Sequence, residues 1–215
     1  MAETVGQMYA CLAAPVAPVL FATDARGGDG VDSGGYGIVA ADVGSEAVTE
    51  CILSGMKPGF SITRLDAKFT GRRRPEESWR RTIPRSRLPK TVKDQPKSKW
   101  HNIEAGLWKY EDHITLGEAR TVNLVCDVML RTVQCHGMIH LSLQDNSPTS
   151  ASMTKGRSPS GPLNYILRRK TARTAAGGFR LHLPWVESPL QPADDLSRLI
   201  DGEPALDSAA EALPR

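Results

Sequence analysis

The chain has 215 residues, 40% of them hydrophobic, which is enough for one compact domain with appendages or two small ones and excludes a wholly disordered chain. Its formal charge of +3 comes from 27 Lys and Arg against 24 Asp and Glu, yet residues 56–110 hold 15 basic and 5 acidic side chains, a local +10 inside a body at −7. Charge separated in this way points to a polyanionic partner rather than to a fold.

In chain order, residues 1–16 show no period and read as a flexible leader. The apolar run 19–23 has strand length and stops at Asp24. A turn with five glycines fills 25–35, and 36–41 is a second strand. A third, weaker strand is expected at 47–53, and the short connections favour an antiparallel meander. The basic stretch 56–110 differs in kind: Pro58, Pro75, Pro84, Pro89 and Pro96, with the run Arg72-Arg73-Arg74, forbid a long helix and an independent core. An irregular insertion is expected there.

Regular structure resumes near Ile114. Glu118, Val122, Val125, Met129 and Val133 step by four, three, four and four, which sets a carboxylate on the apolar stripe of a helix. A strand at 138–143 ends at Gln144-Asp145-Asn146-Ser147-Pro148, where Ser147-Pro148 opens a helix. A further helix at 163–176 is stopped by Gly177-Gly178. A strand at 179–183 continues through Trp185-Val186, and a short helix covers 192–200. The chain is thus read as one domain over 17–201, interrupted by the insertion 56–110 and followed by an acidic flexible tail at 202–215.

Four acids terminate or interrupt apolar segments: Asp24 after the first strand, Glu118 on the helix stripe, Asp145 after the fourth strand, and Asp194 at the start of the last helix. Ligands of open α/β sheets gather at the carboxyl ends of parallel strands, where Asp24 and Asp145 meet if strands one and four are neighbours. Converging carboxylates need cations between them. Hard oxygen donors suit Mg²⁺ or Mn²⁺, and a pair of such ions serves in-line attack on a phosphodiester. Taken singly, an Asp after a strand is more often a turn former or a helix cap, whereas an ionised Glu118 on an apolar stripe requires a partner or a metal.

Other constellations carry less. Cys135, His136 and His140 do not share a helical face and lack a fourth ligand for zinc. The glycines of 27–35 match no phosphate-loop pattern and read as a hairpin turn. The four cysteines are scattered without a C-x-x-C pair, and the apolar stretch 10–22, interrupted by Pro15 and Pro18, is too short for a bilayer. An intracellular protein, cytoplasmic or nuclear and without a membrane partner, is expected.

With these residues in place the chain resembles the ribonuclease H domains of retroelement reverse transcriptases, particularly those of tyrosine-recombinase-type retrotransposons. The resemblance rests on Phe21-Ala22-Thr23-Asp24-Ala25 with Gly35-Tyr36-Gly37, on Trp108 with His113-Ile114-Thr115-Leu116-Gly117-Glu118-Ala119-Arg120, and on Asp145-Asn146 with Lys155-Gly156-Arg157-Ser158. It extends through Leu181-His182-Leu183-Pro184-Trp185-Val186 and Pro192-Ala193-Asp194-Asp195-Leu196-Ser197-Arg198. It implies a ribonuclease H-like α/β fold, a five-stranded mixed sheet flanked by helices. It also implies metal-dependent hydrolysis of the RNA strand of an RNA–DNA hybrid, with two Mg²⁺ or Mn²⁺ ions held by Asp24, Glu118, Asp145 and Asp194. The implied partners are the hybrid and the rest of a reverse transcriptase polyprotein.

The chain departs from the family at Arg26, Gly117, Thr121, Asn123, Asp127 and Gln191, so the alternative is a catalytically inactive nucleic-acid-binding relic. A third reading makes the acids structural in a protein-interaction domain. Arg72, Arg73 and Arg74 are the expected phosphate contacts of the insertion, with Trp79 or Trp100 stacking on bases; Lys155 and Arg157 extend that surface. The same arginine run also reads as a solvated loop or a nuclear-targeting signal.

Overall fold

The structure is a computed structural model that describes residues 14–28, 33–55, 92, 99–186 and 188–198. Strand β1 (Val16–Arg26) pairs antiparallel with β2 (Gly35–Asp42), setting Asp24 opposite Gly37. β1 is the middle strand of the sheet and is covered on both faces, so it reads as a nearly unbroken apolar run. It runs two residues past Asp24, which therefore lies inside the strand and does not end it.

Residues 47–53, expected as a strand, belong instead to helix α1 (Ser45–Gly55). Ala47, Val48, Cys51 and Ile52 fall at helical spacing and pack under Leu20 and Ala22 of β1, while Leu53 is exposed. The third strand, β3 (His101–Leu107), comes from the basic stretch and pairs antiparallel with β2. It is an edge strand with no fully buried side chain, so it lacks the apolar alternation that marks a strand in sequence. The expectation of an irregular 56–110 is corrected at that end; residues 56–91 and 93–98, with Arg72, Arg73, Arg74 and Trp79, lie outside the described residues.

Helix α2 (Ile114–Arg131) is capped by His113, whose Nδ1 accepts the Thr115 N–H at 3.2 Å. Glu118, Val122, Val125 and Met129 share its buried face as the spacing predicts. Val133 does not: the backbone turns extended at Thr132, and Val133 lies in a short 3-10 turn, largely exposed. Strand β4 (Ile139–Leu143) pairs parallel with β1, and helix α3 (Ser147–Lys155) starts from the Asn146 side chain, which accepts the Thr149 N–H. Helix α4 (Gly161–Gly177) ends at Gly178 in a left-handed conformation that glycine adopts at little cost. Strand β5 (Arg180–His182) is parallel to β4, and pairing resumes beyond it at Gln144 and Trp185. Helix α5 (Asp194–Ser197) is a single turn, shorter than the expected 192–200.

The sheet order β3-β2-β1-β4-β5, antiparallel across β3-β2-β1 and parallel across β1-β4-β5, is the ribonuclease H-like topology. Its two faces carry separate cores: Leu20, Ala22, Leu141 and Leu143 against α1 and α5, and Phe21, Ile38 and Ala40 against Val125, Cys126 and Met129 of α2. Two residues that depart from the resembled motifs tie α2 to α4. Asn123 Nδ2 donates to the Ile166 carbonyl at 3.0 Å, and Asp127 pairs with Arg173. Among the described residues no helix is long and apolar enough to cross a membrane.

Candidate metal centre

The parallel register of β1 and β4 sets two acids side by side. Ala22 pairs with Leu143, and Asp24 and Asp145 each lie two residues further on, Asp24 still within β1 and Asp145 in the bend just after β4. Glu118 joins them from the first turns of α2, anchored by the main-chain N–H of Ala25, which donates to its Oε1 at 3.3 Å. Each of Asp24, Glu118 and Asp145 offers one oxygen, and the three lie within 4.8 Å of one another.

Burial makes this cluster electrostatically expensive. Glu118 is 2% exposed and Asp24 4%, whereas Asp145 is half-buried. Burial first, then the neighbouring Asp24 and Asp145 charges, pushes the Glu118 carboxyl up to about 9. Burial likewise raises Asp24 to about 7, reinforced by Asp145 and Asp194 and opposed by the Ser197 hydroxyl and Arg198. Glu118 Oε2 is buried and has no hydrogen-bond partner. A buried, unsatisfied carboxylate oxygen facing two more carboxylates is a poor arrangement for stability and a suitable one for a divalent cation. The residues fit such an ion: three hard oxygen donors converge, and Glu118 Oε2 has no hydrogen-bond donor from outside the cluster.

The fourth acid takes a different position. Asp194 lies on α5, close enough to raise the Asp24 pKa but not among the three grouped oxygens; its Oδ1 accepts from Arg198 Nη2 at 2.7 Å and Nε at 3.0 Å. Lys155 and Arg157 are exposed at the end of α3 and just beyond it. Trp100, a candidate for stacking on bases, packs partly buried against the α1-side core. His140 Nε2 meets the Cys135 carbonyl at 2.8 Å and His136 Nε2 the Leu130 carbonyl at 2.9 Å, so both rings have backbone partners.

Sequence reasoning missed the supports beneath the acids. Ser197, 1% exposed, donates its hydroxyl to Asp24 Oδ2. Helix α5 comes this close because β2 presents glycine there. A Cβ on Gly37 would sit 2.8 Å from the Ser197 nitrogen, and one on Gly35 2.8 Å from the Ser197 carbonyl oxygen. Glycines inside a strand mark such close approach, and the pair at 35 and 37 was the available signal. Below Asp24, Gln191 Nε2 donates to the Thr23 carbonyl at 3.0 Å, and Gln144 Nε2 reaches the Thr23 hydroxyl.

Comparison with models of known protein families, with curated protein sequences and with solved structures finds no match to this chain.

Proposed function

We propose that the chain is a metal-dependent nuclease of retroelement origin that hydrolyses the RNA strand of RNA–DNA hybrids. The observation that carries this reading is the Asp24, Glu118 and Asp145 cluster, with its unpartnered Glu118 oxygen, at the carboxyl ends of two parallel strands of a ribonuclease H-like sheet. The motif order in the sequence supports the retroelement origin and the choice of hybrid.

Asp24, Glu118 and Asp145 would hold one Mg²⁺ or Mn²⁺, and Asp194, the remaining acid of the four, would serve a second. When bound, the cations supply the Lewis acidity and charge that phosphodiester hydrolysis requires. The chain's own groups supply placement. Ala25 N–H fixes one Glu118 oxygen and leaves the other for the ion, and Ser197 does the same for Asp24. Because both carboxyls hold protons tightly without a cation, metal uptake releases protons and strengthens with pH. Lys155 and Arg157, with Arg72, Arg73 and Arg74 of the basic stretch, contact backbone phosphates. Discrimination for RNA comes from contacts to 2′-hydroxyls.

The test is cleavage of an end-labelled RNA–DNA hybrid with Mg²⁺ or Mn²⁺. The reading expects cutting of the RNA strand, loss of cutting in Asp145→Asn, and no cutting of an all-DNA duplex. Metal and hybrid bound without cutting would instead identify a nucleic-acid-binding relic.

A further inference from the structure

We propose that Asp194 and Arg198 form an exchange pair, in which a substrate phosphate takes Arg198 and thereby releases Asp194 to a second cation. This rests on the nuclease reading above and extends it to how substrate and metal are coupled. The pair lies at the rim of the acid cluster, on and just after the single turn of α5 that seats against Gly35 and Gly37. Both guanidinium contacts fall on one oxygen, Asp194 Oδ1, at 2.7 and 3.0 Å, so the pairing is end-on and forgoes the two-oxygen fork that makes an arginine–carboxylate pair strong. It is also an exposed i,i+4 pair, with side chains 63% and 34% accessible, and such pairs hold weakly.

Position makes the weakness useful. The Ser197 hydroxyl meets both Asp24 Oδ2 and, at 2.9 Å, the Asp194 carbonyl, so the turn that carries the pair is tied directly to the acid cluster, where a phosphate drawn to ions on those acids would arrive. A phosphate offers two oxygens to the guanidinium fork in place of one carboxylate oxygen. Once Arg198 turns to it, Asp194 is an exposed-side carboxylate beside Asp24 with no cation of its own. Phosphate binding and second-ion binding then favour each other, and the coupling is reciprocal.

Mn²⁺ binding to the full chain, counted by electron paramagnetic resonance, tests this. The probe is a short RNA–DNA hybrid whose RNA strand is 2′-O-methylated and so is not cut. Wild type should bind one ion alone and a second with the hybrid, the second tightening at least about fivefold. Arg198→Gln, at an exposed position, should bind two ions with or without hybrid; Arg198→Lys should retain part of the dependence, and Asp194→Asn should bind one ion throughout. An equal count with and without hybrid in wild type, or Arg198→Gln behaving as wild type, overturns the exchange. In that case a first ion that disappears in Asp145→Asn leaves the metal centre standing; no ion at all removes the nuclease reading together with the exchange.

Discussion

The main-chain N–H of Ala25 donates to Glu118 Oε1 across 93 residues of sequence, so the residue after one acid of the cluster fixes the position of another. The bond leaves Glu118 Oε2 buried and unpartnered beside Asp24. Glu118→Gln removes the charge at nearly constant volume. Without metal at pH above about 8, the variant should melt higher than wild type, because the unfolded wild-type chain gains stability by ionising Glu118 while the folded chain resists that ionisation, and Gln has no such penalty. Its Mn²⁺ affinity should fall about tenfold or more, a loss of at least about 1.4 kcal/mol. Melting in EDTA and a Mn²⁺ titration check both parts, and a variant that melts lower in EDTA would contradict the cost of ionising Glu118 in the folded chain.

Asp24 and Glu118 carry folded-state pKa values of about 7 and about 9, both raised. A raised carboxyl binds its proton more tightly folded than unfolded. Below the ordinary carboxyl range it costs nothing; as pH rises, the unfolded chain ionises first and stability falls, by up to about 1.4 kcal/mol per pH unit per group. The Asp24 contribution levels off near pH 7 and that of Glu118 near pH 9. The metal-free melting midpoint should therefore drop from about pH 5 to about pH 9, and the stabilisation by Mn²⁺ should grow over the same interval. Scans in EDTA and in Mn²⁺ at several pH values measure it; parallel curves would rule out proton release at the site.

Much of this arrangement was legible in sequence because burial leaves a period. The α2 stripe from Glu118 to Met129, the strand before Asp145 and the Gly178 stop all follow from spacing and conformational preference. The meeting of Asp24 with Asp145 followed from one condition, that the first and fourth strands be neighbours, which β1 and β4 meet. What escaped was structure without a local signature. β3 is a polar edge strand; α1 shows an apolar spacing that served strand and helix alike; and the Ser197 contact to Asp24 joins residues 173 apart, visible only once α5 is seated.

Gly37 decides whether α5 can seat. It lies opposite Asp24 in the β1–β2 register, and an added methyl would meet the Ser197 nitrogen at 2.8 Å and the Leu196 Cβ at 2.9 Å, neither of which can yield without moving the helix. Gly37→Ala should cost about 1–3 kcal/mol of stability, as overpacking does. It should also weaken metal binding by withdrawing the Ser197 hydroxyl from Asp24. Ser197→Ala should reproduce the loss of affinity at a smaller stability cost, about 1–2 kcal/mol. Urea denaturation paired with Mn²⁺ titration separates the two effects; unchanged affinity in both variants would show that Asp24 needs no support from α5.

Gln191 stands where the resemblance leads one to expect Asn, and the structure gives that difference a length argument. Its Nε2 reaches the Thr23 carbonyl at 3.0 Å and the Leu143 carbonyl at 3.5 Å, bridging β1 and β4 immediately before Asp24 and two residues before Asp145. The side chain is 6% exposed, so water does not readily replace it. Gln191→Asn keeps the amide but withdraws it by one methylene, stranding a buried donor and leaving the Thr23 carbonyl one donor short. The expected cost is about 1–2 kcal/mol, with Asp24 and Asp145 less firmly spaced and Mn²⁺ bound more weakly. If the residue were instead an incidental difference, the Asn variant would be as stable as wild type or more so. Denaturant midpoints of the two proteins, measured with and without Mn²⁺, decide between a fitted bridge and an incidental substitution.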